Sequence, residues 1–221
     1  YRDSAKRGER FNAADISFGD NMPLLGWKSR TNLYQLSMDG ALFALFDMDK
    51  NSNDLVNTDF RVAFSLAHRL LDWSTRLRVL HNSSHLGDEF ILRNPDIVRE
   101  NISSEEIEVI TSYEFKDFRL YGGGGYVFRQ TNDFDRWRLQ IGAEFRRSLQ
   151  SNLDFIAAAD VQSMEEVNWD TNQSAQIGVA FTGKQEREVR LMLLLANGFL
   201  PEGQFFRERV SYVGIGVFLR P

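Results

Sequence analysis

The stretch that decides the fold is RWRLQIGAEFR, residues 136–146. Its apolar side chains occupy every second position, namely Trp137, Leu139, Ile141, Ala143 and Phe145. The positions between them are mostly charged or polar. Because successive side chains of a β-strand point to opposite faces, the pattern predicts a strand with one apolar and one charged face. A β-sandwich buries such an apolar face against a second sheet, whereas a membrane β-barrel turns it toward lipid and keeps the charges in its lumen.

The composition is compatible with such a barrel and excludes several other classes. The 221 residues fit a single domain. The sequence contains no run of about 18 apolar residues, so it predicts no membrane-spanning helix. A hydrophobic content of 43% is expected when only alternate residues meet lipid. The net charge of −5 argues against a nucleic-acid partner, and the absence of cysteine excludes disulfides and thiol chemistry.

The same alternation recurs along the chain after a polar segment, residues 1–12. It predicts about twelve strands (ten to twelve), near residues 13–19, 32–38, 41–48, 59–67, 73–85, 105–115, 117–129, 135–147, 153–165, 172–182, 187–197 and 208–219.

The predicted connections between these strands alternate in length. The short connections are Asp39-Gly40, Lys116, Ser148–Asn152 and Gly183–Glu186, and the long ones are 20–31, 49–58, 86–104, 166–171 and 198–207. Short periplasmic turns and long extracellular loops are typical of outer-membrane barrels, and an even strand count returns both ends to the periplasm. The expected fold is therefore all-β, a single antiparallel transmembrane β-barrel over residues 13–221, with residues 1–12 as a periplasmic N-terminal extension.

Several segments together resemble an uncharacterised bacterial outer-membrane family, known only as a domain of unknown function. The segments are Phe43–Asp47, Asp54–Asn57, His81–Glu89, Leu120–Tyr126 and Gly203–Phe206. The stretch SSHLGDE, residues 83–89, is the most specific of them. The resemblance implies an outer-membrane location in a Gram-negative-type cell, and it implies no activity.

A His-x-Ser pair, His81 and Ser83, is the sharpest candidate for chemistry. Both side chains share the parity of Trp73, so they are expected to face lipid near the extracellular rim, where polar groups are costly without a purpose or partner. The pair is similar to the lipid-facing His-x-Ser of outer-membrane phospholipase A and the lipid A deacylases. That similarity implies Ser83 as nucleophile and His81 as general base.

The group that would orient His81 is open at this point. Glu89 is taken first, with Asp88 and Glu105 as alternatives. In the structural interpretation, the residues His81, Ser83 and His85 instead hydrogen-bond the long loop 86–104. In a third interpretation they contact a partner or lipopolysaccharide.

The charged faces of the strands predict a lumenal network of mixed sign. Its members are Arg61, Arg76, Arg78, Arg119, Arg136, Arg138, Glu144, Asp154, Asp160 and Arg190. Mixed signs favour a charge-paired interior, although twelve strands leave room for a narrow pore. The run Gly122–Gly125 predicts sharp bending or close packing within a strand. Asp47, Asp49 and Asn51 have the alternating oxygen ligands of a calcium loop, without its glycine and final glutamate, so no cofactor is expected beyond weakly supported calcium.

Three functions remain at the level of sequence. The first is a structural or interaction subunit of the cell envelope, with outer-membrane lipids, lipopolysaccharide and other envelope proteins as partners. The second is a Ser/His lipid acyl hydrolase at the outer leaflet, and the third is a narrow solute pore.

Overall fold

The computed structural model describes residues 2–3, 9–97, 99–183, 187–201 and 203–220. Eleven antiparallel strands form one sheet in which every strand pairs with its neighbours in sequence. These strands are β3 (Ala13–Ser29), β4 (Asn32–Asp47), β5 (Asp54–Leu70), β6 (Trp73–Leu86), β7 (Ile102–Phe115), β8 (Phe118–Gln130), β9 (Trp137–Gln150), β10 (Leu153–Met164), β11 (Thr171–Thr182), β12 (Glu188–Phe199) and β13 (Arg209–Arg220). A separate hairpin pairs β1 (Arg2–Asp3) with β2 (Glu9–Arg10), and one short helix, α1 (Asp88–Arg93), follows β6.

The connections separate into a short end and a loop end. Four hairpins at the short end have two-residue turns, 30–31, 71–72, 116–117 and 151–152, and the fifth connection there is 183–187. Connections at the loop end are 48–53, 87–101, 131–136, 165–170 and 200–208. This sorting confirms the predicted alternation of short and long connections. The predicted turn at 183–186 lies outside the described residues except for Gly183.

The sheet curls around a polar interior, as in a β-barrel. Arg146 on β9 contacts Glu188 on β12, and only a curved sheet brings strands three apart together in this way. With eleven strands, β3 and β13 run in the same direction, so they cannot pair with each other in antiparallel fashion. Pro23 is tolerated in β3 because that strand lies at the edge of the sheet.

The first two strands differ from the prediction. Residues 20–31 were expected to form a long loop and Asp39-Gly40 a turn. Instead β3 extends to Ser29 and β4 runs through Asp39-Gly40, so the strands predicted at 32–38 and 41–48 are one. Asp39 lies on the inner face of β4 and accepts hydrogen bonds from Asn21 and Ser65. An aspartate with such partners needs no turn, so this Asp-Gly dipeptide is compatible with a strand interior.

The last residue before β3 lies beside a loop. The prediction made residues 1–12 a periplasmic N-terminal extension, and residues 1 and 4–8 of that segment lie outside the described residues. Asn12 donates to Asp49 in connection 48–53, at the loop end. Residue 13 and residue 220 therefore stand at opposite ends of the sheet, because the strand count is odd. Within the described residues, no helix is long and apolar enough to cross a membrane.

Candidate functional site

The site is built on β6, where alternation sends neighbouring residues to opposite faces of the sheet. Leu80 and Ser84 point inward and are 1% and 4% exposed. His81, Ser83 and His85 point outward, as the sequence predicted. The part of the SSHLGDE segment that lies in β6, residues 83–86, therefore alternates between the inner and outer faces of the sheet.

His81 is held by a carboxylate from the neighbouring strand. Its strand partner on β7 is Glu105, and His81 Nδ1 lies 3.3 Å from Glu105 Oε1. The side chains are 48% and 28% exposed, so the pair is accessible from outside. With Nδ1 occupied by Glu105, Nε2 is the nitrogen left to exchange a proton with a hydroxyl, which is the division of roles in a Ser-His-acid triad.

Ser83 stands beside this histidine on the same face. Residues i and i+2 of a strand are about 6.6 Å apart along the chain, so the two side chains are adjacent on the outward surface. Its strand partners are Phe60 on β5 and Ser103 on β7. In the part of the chain that the structure describes, the Ser83 hydroxyl has no hydrogen bond. A cavity of about 200 Å³ at the loop end is lined mainly by inward residues, among them Asp59, Asn82 and Glu106, and Ser83 also contributes to its wall.

An apolar belt lies on the outward face directly on the short-end side of the site. Its side chains in this wall are Val62, Phe64, Leu66, Leu77, Val79, Ile107, Val109, Leu120, Leu139 and Ile141. His81 pairs with Val62 in the register of β5 and β6, so on β6 the polar residues begin beside the last residue but one of the apolar surface of β5. Phe60, 43% exposed, continues the apolar surface beside Ser83.

Two arginines flank the polar group. Arg129 is the strand partner of Glu105 on β8, and its Nε lies 3.9 Å from Glu105 Oε2. The Arg129 side chain is 80% exposed. Arg99, in connection 87–101, places Nη2 3.4 Å from His85 Nδ1.

The carboxylate in contact with His81 is not the one that sequence reasoning took first. Glu89 and Asp88 lie in α1 and make no hydrogen bond to His81 in the described structure. Glu105, the alternative candidate, makes it. Connection 87–101 carries α1 away from β6, whereas the register of β6 and β7 puts residue 105 directly opposite residue 81.

Comparison with known proteins identifies a family over nearly the whole chain. Residues 1–220 match the model of a protein family of unknown function, DUF1207. The chain belongs to the DUF1207 family. Among solved structures, this DUF1207 chain is similar to an outer membrane phospholipase of Salmonella typhi, a dimer with bound calcium, at 15% identity and a TM-score of 0.61. The similarity covers 93% of this chain and 78% of the phospholipase chain. No curated protein sequence matches.

The match to an outer-membrane barrel bears out the predicted all-β barrel architecture, and the family match bears out the predicted membership of an uncharacterised family. At this level of identity the structural similarity concerns the fold alone.

The inner face of the same wall carries most of the predicted charge network. The strongest contacts join Arg78 to Glu108 at 2.9 Å and Arg138 to Glu106 at 2.6 Å, with Arg76 3.6 Å from Glu108. Further contacts are Arg61–Asn82 (2.7 Å), Arg119–Glu144 (2.8 Å), Tyr121–Asp160 (2.6 Å), Arg146–Asp154 (2.6 Å) and Arg190–Glu188 (2.5 Å). Arg136 instead donates to the carbonyl oxygen of Val127, 3.1 Å away.

The central acids of this network, Glu106 and Glu108, were missed at the level of sequence. Glu106 and Glu108 alternate along β7 with the outward Ile107 and Val109. The sequence pattern of that strand therefore already predicted that both glutamates face inward. The glycine run explains how they fit. A Cβ at Gly125 would lie 1.8 Å from Glu106 Oε1, so the glycine leaves space for this carboxylate, as the predicted close packing requires.

A cap closes over the inward residues at the loop end. Asp59 accepts hydrogen bonds from the Gly203 backbone N–H (2.9 Å) and from Asn57 Nδ2 (2.8 Å). Ser84 donates to Asn57 Oδ1 (3.2 Å), and Gln204 Nε2 donates to the Ser84 carbonyl oxygen (3.0 Å). Three segments quoted for the family resemblance therefore meet at the mouth of the sheet.

The weak calcium candidates have protein partners. Asp47 accepts from the Asp49 backbone N–H at 3.0 Å and lies 3.7 Å from Lys50 Nζ, and Asp49 accepts from Asn12. Hydrogen bonds from the Asn12 backbone and side chain hold the pKa of Asp49 below its usual range. Asn51 follows in the same connection, and among the described residues no three His, Cys, Asp or Glu side chains are grouped as metal ligands.

Proposed function

We propose that this protein is an outer-membrane β-barrel that hydrolyses acyl esters of membrane lipids, with Ser83 as nucleophile, His81 as general base and Glu105 as the group that orients His81. One observation carries the proposal. An outward histidine has its Nδ1 on a carboxylate, and a serine without a hydrogen bond stands beside it at the edge of an apolar belt.

The membrane location is supported by the outward surface. Exposed apolar side chains occupy alternate positions of consecutive strands, and the charges of those strands lie inside. A soluble protein would leave this belt in contact with water, whereas an outer membrane buries it in lipid. The similarity to an outer-membrane phospholipase supports the same location.

The chemistry follows from the roles of the three side chains. Ser83 Oγ attacks the ester carbonyl carbon while His81 Nε2 takes the hydroxyl proton, and Glu105 stabilises the resulting imidazolium. The tetrahedral intermediate breaks its bond to the alcohol oxygen, which receives the proton from His81, and the acyl group remains on Ser83. Water then attacks the acyl-serine with His81 as base, which releases the fatty acid and restores the serine.

Ester cleavage is tested by lipid mass spectrometry on purified protein in mixed micelles of phospholipid and lipopolysaccharide. We expect free fatty acid from the wild type and none from Ser83→Ala. Ser103→Ala is the matched control, because Ser103 is the outward strand partner of Ser83 and lies two residues from Glu105 rather than from the histidine. Equal release by the wild type and Ser83→Ala, or no release by either, would contradict the proposal.

A second candidate, a structural or interaction subunit of the envelope, is favoured by the cap. The loops at the loop end are fastened to one another and to the wall by Asp59, Asn57 and Ser84, which gives a defined surface for other envelope proteins. Co-purification of a partner in mild detergent, lost when Asp59→Ala loosens the cap, is the result expected from that function. The cap also lies over the polar interior, which argues against the narrow pore.

A further inference from the structure

We infer that the site recognises the phosphate of its lipid, with Arg129 as the principal contact and Arg99 as a second one, so that the substrate class is a phosphate-bearing, ester-linked membrane lipid. This inference rests on the proposed function. Its ligand chemistry is shared by glycerophospholipids and by the phosphorylated lipid A of lipopolysaccharide.

The state of Arg129 is the first argument. Its guanidinium is exposed on the outward face and forms an ion pair with Glu105 at 3.9 Å without a hydrogen bond, so within the described structure its hydrogen-bond donors remain available. The inward arginines of the neighbouring strands, Arg78 and Arg138, are by contrast hydrogen-bonded to carboxylates. A guanidinium that faces lipid is costly unless it reaches polar groups at the membrane surface.

The position of Arg129 is the second argument. It is the penultimate residue of β8, at the rim of the loop end, while the apolar belt lies on the other side of His81. In a membrane lipid the phosphate lies outside the ester groups, and the acyl chains lie inside them. A lipid with its chains along the belt and an ester at Ser83 therefore presents its phosphate toward the rim.

The distance between nucleophile and cation is the third argument. Arg129 stands two strands from Ser83, which separates the two Cα atoms laterally by about 10 Å, and the long arginine side chain can span part of that distance. Arg99 contacts His85, which lies two residues beyond Ser83 on β6 toward the loop end. Two guanidiniums thus lie on the loop-end and β8 sides of the serine, and a planar guanidinium binds phosphate oxygens in bidentate fashion.

Lipid retention tests the inference without relying on turnover. Ser83→Ala protein is extracted in detergent and incubated with dioleoyl phosphatidylglycerol, with lipid A, or with dioleoylglycerol, which has the same acyl chains as the first lipid and no phosphate. Native mass spectrometry then counts bound lipid. We expect the phosphate-bearing lipids to be retained about tenfold better than dioleoylglycerol, and the preference to be lost in Ser83→Ala/Arg129→Gln.

Matched variants separate recognition from general charge. Ser83→Ala/Arg209→Gln removes an arginine of the same end that is paired with Asp170 at 2.9 Å, and it should retain the preference. Ser83→Ala/Arg129→Lys should keep part of it, because a lysine offers charge without the bidentate fork. The lipid that shows the larger preference identifies the source of the phosphate, and a preference for either one supports the inference.

Kinetics separate this inference from the proposed function. In the active protein, Arg129→Gln should raise KM for the phosphate-bearing lipid about tenfold with kcat little changed, and leave dioleoylglycerol unaffected. Retention that depends on Arg129 without any hydrolysis would overturn the proposed function and leave phosphate recognition standing. Hydrolysis with equal retention of all three lipids would overturn phosphate recognition alone.

Discussion

The two faces of the wall formed by β6, β7 and β8 treat polar residues in opposite ways. On the inner face, buried Glu106 and Glu108 are ion-paired with Arg78 and Arg138, and only Arg78 Nε and Glu108 Oε1 are buried without a hydrogen bond among the described side chains. On the outer face, half-exposed His81 has a single carboxylate contact, and Ser83 has none. The buried polar side chains of the inner face thus have ion-pair or hydrogen-bond partners, apart from those two atoms. Polar groups that the fold leaves available, on a surface where polarity is costly, are the ones to assign to a ligand.

Removal of the His81 side chain is expected to cause the largest loss of ester hydrolysis. His81→Ala should lower ester hydrolysis by at least about 10³-fold, because a serine without its base is a poor nucleophile. His81→Ala/Ser83→Ala should be no less active than the weaker single variant, since the two act as one unit. His85→Ala is the control and should keep activity within a few-fold. Fatty acid release under saturating lipid is measured for the wild type, Ser83→Ala and these three variants, and additive losses would contradict a shared catalytic role.

The carboxylate that orients His81 gives the next largest effect. Glu105→Gln should lower kcat about 10²-fold or more with KM little changed, because the amide no longer stabilises the imidazolium. Glu89→Gln should leave both parameters unchanged, since Glu89 lies in α1 away from the histidine. The reverse result would restore Glu89 to the role that the sequence first gave it.

The inner face is tested by stability rather than activity. Glu108→Ala should lower the free energy of unfolding by about 3 kcal/mol, because it leaves the guanidiniums of Arg78 and Arg76 without their carboxylate in the interior. The urea midpoint in detergent measures the loss. Glu105→Ala, the outward carboxylate three residues away, is the comparison and should shift the midpoint far less.

Adjacent serines sharpen the contrast between the faces. Ser84→Ala removes the hydroxyl that donates to buried Asn57, so it should cost about 1 kcal/mol of stability and little activity. Ser83→Ala should show the opposite profile, with loss of hydrolysis and an unchanged urea midpoint. Similar profiles for the two variants would mean that alternation does not divide this segment into two functions.

The smallest expected effect concerns pH at the loop end. Hydrogen bonds from Asn12 lower the pKa of Asp49 in the folded protein, so their contribution is present above the unfolded pKa and is lost as the pH falls through the folded pKa. The protection factor of the Asn12 amide, which is its intrinsic exchange rate at each pH divided by its observed rate, should therefore fall in acid. Asp49→Asn should remove this pH dependence, and an unchanged profile in that variant would contradict the assignment.

Alternation was sufficient to predict most of the fold and half of the site. It placed His81 and Ser83 outward and Arg76 and Arg78 inward, because parity along a strand needs no knowledge of the neighbours. It did not give strand boundaries at Asp39-Gly40, where inward hydrogen bonds from other strands allow a turn-like dipeptide to remain extended.

The partner of His81 shows why the remainder could not be predicted. Residue 105 comes to lie opposite residue 81 through the length of connection 87–101 and the register of β6 and β7, neither of which the local sequence specifies. Proximity in sequence favoured Glu89 instead. The eleven strands fall within the predicted ten to twelve, and the count lies below twelve because the strands predicted at 32–38 and 41–48 form one strand, β4.

The central claim is that Ser83 is an activated nucleophile on the outward face, and covalent labelling tests it most directly. Wild-type protein, Ser83→Ala, Ser103→Ala and His81→Ala would be incubated with a lipid-like fluorophosphonate, followed by intact-protein and peptide mass spectrometry. We predict one adduct on Ser83 in the wild type and in Ser103→Ala, and none in Ser83→Ala or His81→Ala. An unlabelled wild type, or labelling that persists in Ser83→Ala, would contradict the account.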